Sequence, residues 1–139
     1  MADAEKRDSL LYRSVPLAEL QKCATSSPAV LPFLLAVKFN YDVKQGGFAQ
    51  LLYNLRGEFL ADTEDMLLAA NAAVSHDHYV RAVTACLVDK PSYFRFLASD
   101  FIEHNPVKHA LQLLSLEYLQ RRVDFVDEAA AFLGSCPRV

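Results

Sequence analysis

Phe39-Asn40-Tyr41-Asp42-Val43-Lys44-Gln45-Gly46-Gly47-Phe48-Ala49-Gln50-Leu51-Leu52-Tyr53-Asn54 is the stretch on which the fold turns. Two periods compete in its first half. Val37, Phe39, Tyr41 and Val43 alternate with Lys38, Asn40, Asp42 and Lys44, which is the period of a half-buried strand. Nothing nearby supplies a partner strand or a hairpin turn. Ser27 and Pro28 offer a helix start upstream, and Gly46 offers a stop, so the expected state is a helix from residue 28 to about 45. Lys38 and Asp42 then become an exposed i, i+4 pair. Gly46-Gly47 allows a tight helix-to-helix turn, Phe48 is expected to plug the core, and residues 48–55 form a short helix ending at Gly57. Gln50 and Asn54, four apart, are expected to hydrogen-bond the turn backbone.

The same punctuation continues outward. Only four glycines and six prolines occur, and they fall where helices would begin or end. The expected fold is therefore all-α, one compact domain over residues 1–139 with about six or seven helices. Ser14, ahead of Pro16, is expected to cap a helix through about Cys23. Thr63, between Asp62 and Glu64, should open another through about Val74. Residues 78–88 and 92–104 follow, with Asp77 as a cap for the first. Pro106 starts a C-terminal helical region, 106–134. Leu116, Leu119, Val123, Val126, Ala130 and Leu133 step by three and four, one continuous apolar stripe that a homodimer could also use.

Composition excludes several functions. Apolar residues make up 53% of the 139 and charged residues 22%, too much core material for a disordered chain. A net charge of −3 does not attract a phosphate backbone, so direct nucleic-acid binding is not expected. The N-terminal residues Asp3, Glu5, Lys6, Arg7 and Asp8 are charged and precede no signal-peptide-like stretch. The apolar run 28–37 is far short of a membrane span. A cytoplasmic protein with no membrane partner is the expectation, and Cys23, Cys86 and Cys136, widely spaced, should be reduced thiols.

Chemistry is sparse. His76, Asp77 and His78 lack a third sequence-placed ligand, and His104 and His109 straddle Pro106 without i, i+4 spacing, so no metal and no cofactor are expected. Ser92 and Ser115 lack a nucleophile elbow, Cys86 lies among core-type residues, and Gly46-Gly47 is not followed by the Lys-Ser/Thr of a phosphate loop. No catalytic residue is identified. The charge pattern carries more. Residues 57–80 hold Glu58, Asp62, Glu64, Asp65 and Asp77 and no Lys or Arg, and a second acidic group follows at Asp124, Asp127 and Glu128. Acids at helix starts serve as caps. Held on rigid helices, they also form an anionic surface for a basic partner, at positions where a DNA-binding protein would find phosphates.

Gly46-Gly47-Phe48, Gln50 and Tyr53-Asn54 resemble the signature of a bacterial family, the DNA-mimic-protein-like domains, in which an Asn-Gly-Gly-Phe core is followed by Gln and an aromatic-Asn pair. Gln45 stands where that family usually has Asn. The resemblance covers residues 30–105, including the helix before the motif and the segment from Tyr93-Phe94 to Ile102. It implies an all-α fold without enzymatic activity, acting by occupying a DNA-binding protein. The partner expected is a basic protein: a transcription factor, another DNA-binding protein, or a toxin blocked by an immunity or antitoxin protein. Glu58, Asp62, Glu64, Asp65, Asp77, Asp124, Asp127 and Glu128 are the candidate contact residues, while the Gly-Gly-Phe motif is expected to be structural.

Overall fold

Residues 33–40 are buried without a break, so the segment leading into Phe39 is the centre of the molecule. The computed structural model describes residues 11–138; the charged residues 3–8 lie outside them. Among the described residues every regular element is helical and there is no strand. Among the described residues eight helices follow one another: α1 (Leu17–Ser26), α2 (Leu31–Leu55, entered through a 3-10 turn at Pro28–Val30), α3 (Leu60–Ala69), α4 (Ala73–Leu87), α5 (Lys90–Ala98), α6 (Pro106–Gln120), α7 (Phe125–Glu128) and α8 (Ala130–Ser135). Six of them have seven residues or more. α2 packs against α1, α3 and α6, and α4 joins α3, α5 and α6 around it.

Burial on every side explains the strand-like alternation in α2. Lys38, Asn40 and Asp42 are enclosed together with Val37, Phe39 and Val43. Lys38 and Asp42 are therefore not the exposed pair that the spacing predicts. Their side chains are 3% and 2% exposed, with Lys38 Nζ 3.2 Å from Asp42 Oδ2. Lys38 Nζ also donates to the Val15 carbonyl at 2.6 Å. Gln50 Nε2 and Asn54 Nδ2 donate to Asp42 Oδ1 and Oδ2, each at 3.3 Å. The two motif amides thus serve a buried carboxylate and not the turn backbone, because an enclosed ion pair requires its remaining lone pairs to be satisfied.

The interruption of α2 is at Gly46 (φ −145°, ψ 17°) and Gly47 (φ 73°, ψ −168°). Gly47 occupies the left-handed region, and a Cβ there would lie 2.8 Å from Ser115 Cβ on α6. Space is short at Gly46 as well, where a Cβ would lie 2.8 Å from Gln50 Cβ. The kink docks on α6 through Ser115 Oγ, which accepts from Phe48 N–H at 2.8 Å and donates to the Leu111 carbonyl at 2.7 Å. Phe48 is fully buried, 6.1 Å from the Phe39 ring and 5.4 Å from that of Tyr118. Tyr53 OH reaches the Ser99 carbonyl at 2.7 Å and ties the α5 exit to the second half of α2.

Several expected helix ends are displaced. α1 starts behind Pro16 with no side-chain cap, so Ser14 is not its cap, and it runs on to Ser26. Ser27 makes no side-chain cap bond either. α2 ends in a left-handed residue, but that residue is Arg56 (φ 52°), with Gly57 (φ 82°) after it. α3 begins at Leu60; Thr63 is buried within it and donates to the Phe59 carbonyl at 2.7 Å. α4 begins at Ala73, which puts Asp77 inside the helix and not at its cap. α5 is capped by Asp89, which accepts from Ser92 N–H, and ends at Ala98 instead of near His104.

The C-terminal stripe is also broken. α6 stops at Gln120, and Arg122 turns left-handed (φ 57°) before α7. Leu116 and Leu119 are 57% and 54% exposed, while Leu111, Ser115 and Tyr118 face inward. The row that contacts the Gly-Gly kink has become the buried one. The residues from Leu116 to Leu133 are therefore not one continuous helical face.

Candidate functional site

The turn after α2 places the first acids. Arg56, Gly57 and Phe59 all have positive φ, so the chain reverses sharply and Glu58 is left exposed. Gln21 Nε2 donates to its two oxygens at 3.1 and 3.0 Å. Tyr79 OH donates to the Leu60 carbonyl at 2.7 Å and fixes the start of α3; burial pushes this phenol well above its usual range. From that anchored helix Asp62 and Asp65, three apart and so neighbours on its surface, face solvent.

The eight predicted contact residues divide by what they touch. Among the described residues no Lys or Arg forms an ion pair with Glu58, Asp62, Asp65 or Asp127. Glu64 Oε2 lies 3.0 Å from His76 Nε2. Asp77 lies 3.7 Å from Arg81, which pairs more closely with Glu117 at 2.7 Å. That guanidinium holds the Glu117 carboxyl below the usual range. His78 is enclosed, its Nδ1 bound to the Val74 carbonyl at 2.8 Å and its Nε2 3.1 Å from Glu117 Oε2, without hydrogen-bond alignment. His76 and His78 thus turn to different carboxylates on different helices. No group of three or more His, Cys, Asp or Glu comes together to hold a metal among the described residues.

Asp124 and Glu128 face inward tasks. Asp124 caps α7 by accepting from Val126 N–H at 3.1 Å and pairs with Lys44 at 3.3 Å. Glu128 accepts from Val74 N–H at 2.8 Å, Ser75 N–H at 3.1 Å and Ser75 Oγ at 2.5 Å. A carboxylate from the C-terminal segment therefore satisfies first-turn amides of α4, where the helix dipole favours negative charge. The structure does not bring these two acids into one surface with Asp62 and Asp65 through any contact.

Asp62 and Asp65 also stand beside an apolar depression in the surface. Both line a cleft of about 360 Å³ together with Leu31, Pro32, Met66 and Phe132. Its apolar wall comes from the start of α2, from α3 and from α8, three segments far apart in the chain. No local pattern could have announced it.

A model of the DMP19-like protein family matches residues 25–134. The chain belongs to that family. The match takes in residues 106–134, which the motif resemblance at 30–105 left out; α6, within that stretch, packs on the Gly46-Gly47 kink through Ser115. Comparison with curated proteins and with solved structures gave no significant match. Among the described residues of this DMP19-like chain, no helix is long and apolar enough to cross a membrane.

Proposed function

We propose that this DMP19-like protein is a non-enzymatic inhibitor that presents an acidic helical surface to a basic DNA-binding or nucleic-acid-processing protein in place of its nucleic acid. The observation that carries the reading is the set of outward carboxylates Glu58, Asp62 and Asp65, without a Lys or Arg ion-pair partner among the described residues, on the turn and helix anchored by Tyr79. Charges already held in place lose little freedom on binding, so their attraction for Arg and Lys is retained in the complex. Glu64, Asp77 and Asp127 extend the surface. Asp124 and Glu128, occupied within the chain, act in this reading as its frame. The apolar cleft beside Asp62 and Asp65 adds a shape that a purely electrostatic contact would lack.

The test starts from a partner captured from the native cell, identified by mass spectrometry and purified. A Glu58→Gln, Asp62→Asn, Glu64→Gln and Asp65→Asn chain keeps nearly the same shape without the charge. It is expected to fold normally, to bind the partner at least about tenfold more weakly, and to lose most of the salt dependence. The partner's own DNA, followed by fluorescence anisotropy, should be displaced by the parent protein. Equal binding by the neutral chain, or a complex in which DNA and this protein are held together, refutes the proposal. A partner that is a toxin with no nucleic-acid substrate transfers the surface to the immunity reading.

A further inference from the structure

The cleft beside Asp62 and Asp65 leaves about 360 Å³ between the start of α2, α3 and α8. Leu31, Pro32 and Phe132, half-buried, form its apolar walls, with the buried Met66 behind them. Asp62, Asp65 and Ala69 are exposed and follow one another along one side of α3, over about 10 Å of its axis at 1.5 Å per residue. The two carboxylates are the only polar side chains lining the cleft, and neither has a Lys or Arg ion-pair partner among the described residues. Negative charge therefore borders open apolar surface. Concave apolar surface with a few fixed polar groups is the usual form of a recognition site. Standing in for a phosphate backbone calls only for the charges, so the apolar walls need a reason of their own.

We infer that the cleft receives a segment of the basic partner in which one bulky apolar side chain stands beside two Arg or Lys. The apolar side chain enters between Leu31, Pro32 and Phe132, and the cations meet Asp62 and Asp65. The inference rests on the acidic-surface reading above and supplies the chemistry of the partner. Charge complementarity selects the cations, since the cleft carries two carboxylates and no Lys, Arg or His. Size admits the anchor: a cavity of roughly 150 Å³ holds one benzene ring, so a Phe or Leu side chain fits here with part of its backbone. The two parts do different work. Exposed carboxylates draw any cationic chain and are screened by salt, so they separate basic proteins from acidic ones. An apolar side chain seated in a cleft is not screened, and it adds a requirement that a surface of Lys and Arg alone does not meet.

Three peptides are the probes. In Ac-Arg-Ala-Arg-Ala-Phe-amide an extended chain puts both cations and the ring on one face; the second has Ala in place of Phe, and the third is Ac-Glu-Ala-Glu-Ala-Phe-amide. Titrations followed by amide chemical shifts should show saturable changes at Leu31 and Met66 with the first peptide, binding at least about fivefold weaker without the ring, and no binding of the acidic peptide up to about 10 mM. Raising salt from about 50 to 500 mM should weaken both cationic peptides and leave their ratio unchanged. Ala69→Trp, which narrows the cleft and keeps both acids, should bind the two cationic peptides equally. Equal binding of those peptides by the parent chain, a comparison that needs no variant, overturns the inference; it leaves the acidic surface standing where Asp62→Asn, Asp65→Asn loses both. Undiminished binding by that neutral chain removes the acidic surface and the inference together. Absence of saturable shifts with the first peptide, equal binding of the acidic one, or a retained preference for the ring in Ala69→Trp also overturns the inference. So do shifts at Leu31 and Met66 that grow with protein concentration alone, which assign the cleft to a second copy of the chain.

Discussion

Replacing Asp42 by Leu strands the Lys38 ammonium in a position where 3% of its side chain meets water. Removing one member of a buried pair in this way costs about 3–5 kcal/mol. The Gln50 and Asn54 amides lose their acceptor too, but they are only half-buried and water can replace it, so they add little. At about 2.1 cal/mol/K per residue, a 139-residue chain unfolds with an entropy of about 0.3 kcal/mol/K, so Tm should fall by about 10–17 °C. Lys38→Met should cost a similar amount by leaving Asp42 charged and unpaired. The double variant Lys38→Met, Asp42→Leu removes both charges and forfeits chiefly the bond to the Val15 carbonyl, so its loss should be only about 1–2 kcal/mol. Urea denaturation of the four chains closes the cycle. Additive losses, or an Asp42→Leu loss under about 1 kcal/mol, would refute the claim that this pair is coupled and enclosed.

Gly47→Ala meets both a left-handed backbone and Ser115 and should lose about 2–4 kcal/mol; adding Ser115→Gly frees the space but not the φ of 73°, so urea titration should show only partial recovery. Burial pushes the Cys86 thiol up to about 12, so iodoacetamide followed by intact mass should modify the half-buried Cys136 first and Cys86 only after unfolding. The Arg81 guanidinium and, less, His78 hold Glu117 below the ordinary carboxylate range. Its contribution to stability is therefore present above the unfolded value of about 4.3 and lost as pH falls through the lower folded one. Thermal melts should show the difference between Glu117→Gln and the parent shrinking below about pH 4, and a constant difference down to pH 2 would contradict this assignment.

Helix as the element type of the described residues was legible in the sequence, because Gly and Pro spacing and the absence of hairpin signals are local properties. So were the break at Gly46-Gly47, the burial of Phe48 and the start of α6 at Pro106. The acids without a Lys or Arg ion pair, Glu58, Asp62 and Asp65, were legible as charges, since a run without Lys or Arg leaves few nearby cations to neutralise it. Other features depended on neighbours remote in the chain. Lys38 and Asp42 have the spacing of a surface pair, and only the packing of α1, α3 and α6 around α2 makes them an enclosed one. Glu128 looks like any exposed acid until α7 brings it to the first turn of α4. The stripe from Leu116 to Leu133 had a valid helical period, yet the Gly-Gly kink selected Leu111, Ser115 and Tyr118 as the inner row and left Leu116 and Leu119 outside. Local sequence determines which conformations a segment favours; which of its faces is buried, and which charges meet, is decided by the other segments that pack against it.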